Sequence, residues 1–143
     1  MGIFAWGMLL TACHCAEENE FPARAGQLAR AAEMLRLSSN HDKPRWLLRL
    51  RSLPCGSNDL CELQITCSGA YNEYLHAIDS IDSARRDLMP PLNDATVPDA
   101  SAEAVLNAAA LAQNAQRLLK KSRQAMNKCA ENEAVIRQRY KLR

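Results

Sequence analysis

Cysteine is the residue type in this chain best suited to chemistry, with six among 143 residues, at positions 13, 15, 55, 61, 67 and 129. Thiols can cross-link, ligate a metal or attack a substrate, and their spacing and neighbours separate the three. For a metal, Cys13-His14-Cys15 is half a ligand set that His41 or His76 would have to complete. No C-x-x-C, H-x-x-x-H or H-E-x-x-H spacing occurs to complete it. For nucleophilic catalysis there is no G-x-S-x-G, no P-loop and no G-x-G-x-x-G, and beyond the opening segment only Gly26, Gly56 and Gly69 could build such loops. Asp79 with Asp82, and Glu131 with Glu133, are carboxylate pairs within one helical turn, and they read as solvated helix faces. His14, His41 and His76 read as surface histidines. No catalytic residue, metal site or cofactor is therefore expected, which leaves cross-linking as the chemistry of most of the thiols.

The first thirteen residues, MGIFAWGMLLTAC, give one cysteine a different fate. The apolar run from Ile3 to Ala12 is about half the length needed to span a bilayer, and it matches the core of a signal peptide. Leu10-Thr11-Ala12-Cys13 resembles the lipobox of bacterial lipoproteins, although residues 1–12 carry no Lys or Arg. The resemblance implies cleavage before Cys13, acylation of Cys13 and attachment to a membrane by two or three chains. With His14, and no aspartate, following that cysteine, it implies the outer membrane, facing the periplasm. Residues 1–12 are then a signal peptide, 13–21 a lipidated tether and 22–143 a helical domain. Six cysteines suit an exported chain of this size.

Net charge is +2, so no global field favours nucleic acid, and 5% aromatic residues offer few stacking platforms. Scarce glycine and abundant Ala, Leu, Arg, Glu and Gln favour helices. Ala25, Leu28, Ala32, Leu35 and Leu37 predict a first helix over 22–37, broken before Pro44. A short amphipathic helix or turn follows in RWLLRLRSLP, with Arg45 and Arg49 opposite Trp46, Leu47 and Leu50. A third helix over 60–88 opens with Asp59 and Glu62 in capping-box spacing and carries Leu60, Cys67, Tyr71, Tyr74, Ile78, Ile81 and Leu88 on one stripe. Beyond a proline-rich turn, with Asp99 or Ser101 as cap, a fourth helix runs to Arg143. Val105, Ala108, Ala112, Ala115, Leu119, Met126, Cys129, Ile136 and Tyr140 mark its stripe.

The fold class is thus all-α: an antiparallel hairpin of two long helices within a three- or four-helix bundle, stapled by disulfides. Folding the hairpin brings Cys129 level with Cys61 or Cys67. Cys67 shares the apolar stripe, which favours Cys67–Cys129, with Cys55–Cys61 closing the loop CGSNDLC. Cys55–Cys67 with Cys61–Cys129 is the competing arrangement. The end of the last helix needs a further surface, which the first helix and the Trp46 segment can supply. Arg45, Arg49 and Arg51 around Trp46 form a candidate contact surface for anionic lipid or an acidic partner, with Trp46 either anchoring at the interface or packing on the bundle. The expected function is that of a small envelope-anchored lipoprotein with a structural or partner-binding role, held to the membrane by its lipid and independent of nucleic acid. The rival reading is a cytosolic helical protein whose Cys and His residues bind a metal or sense redox state.

Overall fold

The computed structural model of the protein describes residues 20–88 and 101–143. The expected signal peptide, Cys13, His14, Cys15 and the expected turn over 89–100 with Asp99 lie outside the described residues. Those described form four helices and no strand: α1 Glu20–Leu37, α2 Lys43–Ser52, α3 Asn58–Leu88 and α4 Ala102–Arg139. α1 starts two residues ahead of the expected domain boundary. Pro22 fits in its first turn, where a missing amide hydrogen costs nothing, and Glu20 pairs with Arg24 one turn on.

α3 and α4 form the antiparallel hairpin. Arg139 reaches Asp59 (2.5 Å), Lys121 reaches Glu73 (2.5 Å) and Asn107 reaches Asp87 (2.9 Å), which fixes one register along its length. The seam has a seven-residue repeat: Leu63, Ala70, Ala77 and Ala84 on α3, and Ala108, Ala115, Ser122, Cys129 and Ile136 on α4, are all buried. Seven residues are close to two turns, so such a seam persists when two helices wrap around each other with a left-handed twist. Alanine along it lets the backbones come close.

The main core lies at one end of the hairpin. There Leu28 and Leu35 of α1 and Leu47 and Leu50 of α2 join Leu60, Leu63, Cys67, Tyr71, Cys129 and Ile136. The other end is a two-helix arm, and with one neighbour per helix it cannot cover its apolar residues. Ile81, Leu88 and Val105, expected on the buried stripes, are 40 to 48% exposed. Leu37 is also exposed, because two residues beyond Leu35 turn it about 200° around α1.

Helix ends differ from expectation in two places. Asp59 and Glu62 do not form a capping box: the Asp59 carboxylate accepts from the Ser57 hydroxyl (2.5 Å), the Leu60 amide (3.0 Å) and Arg139, while Glu62 faces Lys128 (3.8 Å). α4 stops at Arg139 instead of running to Arg143. Lys141 takes a left-handed conformation (φ 52°), its amide donates to the Gln138 carbonyl and that of Leu142 to the Arg137 carbonyl. This is a Schellman motif, and it turns Leu142 back towards Gly26 of α1. Ser101 caps the other end of α4 through the Ala104 amide (3.2 Å).

Candidate functional site

Both cross-links favoured by the periodicity are present, Cys55–Cys61 across the loop before α3 and Cys67–Cys129 across the hairpin. The long bridge sits in the core, with Cys67 fully buried and Cys129 nearly so. Its sulfurs are therefore structural groups shielded from exchange.

α2 carries the cationic residues singled out from the sequence, and its ten residues include no Asp or Glu. Leu47 and Leu50 are buried, and Trp46 is half-buried against the core, so its ring fixes the helix to the bundle. Arg45, Leu48, Arg49 and Ser52 follow at helical spacing on the opposite face, and all are exposed. Of its two expected roles Trp46 thus takes the packing one, and Leu48, with 67% exposure, is the outward apolar residue of α2. Arg51 is held at the edge by the Asn72 amide oxygen (3.2 Å). Among the described residues, neither Arg45 nor Arg49 meets a carboxylate.

Two side chains hold α2 in place. Gln64 of α3 donates to the carbonyls of Leu50 (2.7 Å) and Leu53 (2.6 Å), closing the end of α2 where carbonyls lack helical partners. Lys43 is buried and donates to the Ser38 carbonyl (2.5 Å) just past α1. Burial lowers its ammonium from the ordinary lysine value, and its charge serves the α1–α2 turn and not the outer surface.

A groove of about 590 Å³ opens where α2 begins, lined by residues that include His41, His76, Asp79 and Asp82 together with Leu75 and Ile78. His76 and Asp79 are exposed, as expected for a solvated helix face. Among the described residues, no three His, Cys, Asp or Glu side chains are placed to hold a metal ion.

Glu133 corrects the reading of the other carboxylate pair. Glu131 is exposed, but Glu133 is 3% exposed and accepts from Arg36 of α1 (3.0 Å) and from Arg137 (2.8 Å). Arg137 also reaches Glu33 (3.0 Å), and the Glu133 carboxylate raises its already high pKa. These pairs bind α1 to the end of α4, so the carboxylate is an interhelical connector. An acidic residue between Asn132 and Ala134, two positions from Glu131, gives no sequence sign of such burial. The one available clue was its place seven residues after Met126 and seven before Tyr140, both of which pack against the core.

Compared with known protein families, curated proteins and solved structures, the chain matches none. No helix of the described residues is long and apolar enough to cross a membrane.

Proposed function

We propose that the chain is a lipoprotein of the bacterial envelope, attached through Cys13 to the outer membrane and facing the periplasm, with a structural or partner-binding role. The observation that carries this reading is the pairing of all four described cysteines into two disulfides in a chain that begins with a lipobox-like segment. Such bridges persist in oxidising compartments and are rare in a reducing cytosol. A stapled hairpin, with its core at one end and an arm at the other, suits a rigid presenting element.

The test is the intact mass of the protein purified from membranes of a bacterial host, before and after reduction. A chain starting at acylated Cys13 and taking up four hydrogens for its two bridges is the expected result. A chain that keeps residues 1–12, carries no acyl groups and has its thiols free overturns the reading.

A further inference from the structure

We propose that the outward face of α2, formed by Arg45, Leu48 and Arg49 with Arg51 at its edge, docks on an anionic lipid surface. The stretch from Glu20 to Leu53 holds seven Lys or Arg against three Asp or Glu. All three acids have partners other than Arg45 and Arg49: Glu20 pairs with Arg24, Glu33 with Arg137, and Asp42, at the start of α2, accepts from the Ser39 hydroxyl. Asp79 and Asp82 lie across the groove near Pro44 and bound the cationic face at the start of α2. Arg45 and Arg49 thus present guanidinium groups, free of carboxylates among the described residues, on either side of an exposed leucine. Cations flanking a shallow apolar residue are the pattern of a helix lying on phosphate head groups.

Position favours a bilayer over an acidic protein as the occupant. Phe21, in the first turn of α1, lies beside Gly56, where an added Cβ would sit 3.5 Å from the phenyl ring, and Gly56 follows the end of α2 by only a few residues. The described chain therefore starts beside the end of α2. Seven residues separate Phe21 from Cys13 and can span at most about 25 Å, so an acylated Cys13 would keep this face close to head groups. That reach rests on the lipoprotein reading; the charge pattern does not.

The test uses the full chain carrying Cys13→Ser, which cannot be acylated, sedimented with vesicles of phosphatidylglycerol and phosphatidylethanolamine or of phosphatidylcholine alone. Binding to the anionic vesicles is expected to exceed binding to the neutral ones and to fall with added salt. R45Q/R49Q should weaken the anionic binding about thirty-fold, whereas R45K/R49K should retain most of it, because a lipid surface reads charge and not the guanidinium fork. Equal binding to both vesicles, or anionic binding unchanged in R45Q/R49Q, overturns the proposal and assigns any binding to the apolar residues 1–12. The wild-type mass from membranes reports separately on Cys13. An acylated chain whose Cys13→Ser form shows no charge-dependent binding defeats the docking alone, and an unacylated chain whose Cys13→Ser form binds as expected defeats the anchor alone.

Discussion

Removing each disulfide in turn should cost unequal amounts of stability, and the ratio follows from where the bridges lie. Cys67 and Cys129 are 62 residues apart, Cys55 and Cys61 only six. In the chain-entropy account the long loop confines the unfolded state by about 4 kcal/mol and the short one by about 2 kcal/mol. Replacing Cys67 and Cys129 by alanine also leaves the space of two core sulfurs, adding about 1 kcal/mol. Cys55 and Cys61 are half-buried, so their loss adds less. C67A/C129A should therefore be less stable than C55A/C61A by about 2–3 kcal/mol, or roughly 4–12 °C in Tm. Urea unfolding of the two doublets, followed by far-ultraviolet circular dichroism, measures the gap. The slope with urea should rise more for C67A/C129A, because its unfolded chain loses the longer constraint. A C55A/C61A doublet that is equally or more destabilised would refute the assignment of the hairpin bridge as the principal staple.

Gly69 lies inside α3, exposed, with nothing within 4 Å of an added Cβ, so Gly69→Ala should raise stability by about 0.5–1 kcal/mol in a denaturant titration. Glu133→Gln should lower stability by about 1–3 kcal/mol. Its carboxylate is buried, but Arg36 and Arg137 keep 46% and 28% of their side-chain exposure, which holds the cost below that of a fully buried pair. A double-mutant cycle with Arg137→Met should show non-additivity, and additive losses would mean the contact contributes nothing. Burial raises the Asp59 carboxyl, but hydrogen bonds from Ser57, Arg139 and Leu60 outweigh that and leave its pKa below the ordinary value. The unfolded state then takes up the proton first. The stabilisation is complete above the unfolded pKa of about 3.9 and disappears as pH falls through the lower folded value. Asp59→Asn should remove that part of the acid-side slope in urea midpoints measured from neutral pH downwards, and an unchanged slope would exclude Asp59 as its source.

Local chemistry made much of this architecture legible from the chain alone. Apolar spacing, prolines at 44, 54, 90 and 91, and a cap at Asp99 or Ser101 placed all four elements, the second as a helix or turn, with each start within two residues of the observed one. Those signals act over one or two turns, and a helix needs little more to be recognised. The cysteine pairing was legible for the same reason, because a two-helix hairpin has one register that puts Cys67 and Cys129 on facing stripes. Tertiary structure decided which apolar residues are covered. The stripes continue into the arm, but Ile81, Leu88 and Val105 stay exposed there because α1 and α2 pack only on the other end. It also buried Glu133, since two arginines from different parts of the chain converge on its carboxylate, and it ended α4 early because Leu142 finds Gly26 across the bundle. On α2, where spacing alone set Trp46, Leu47 and Leu50 opposite the arginines, it seated Trp46 against the core and left Leu48 exposed between Arg45 and Arg49. Periodicity defines a helix face, whereas the partner that covers that face arrives from far along the chain and leaves no mark at the residues themselves.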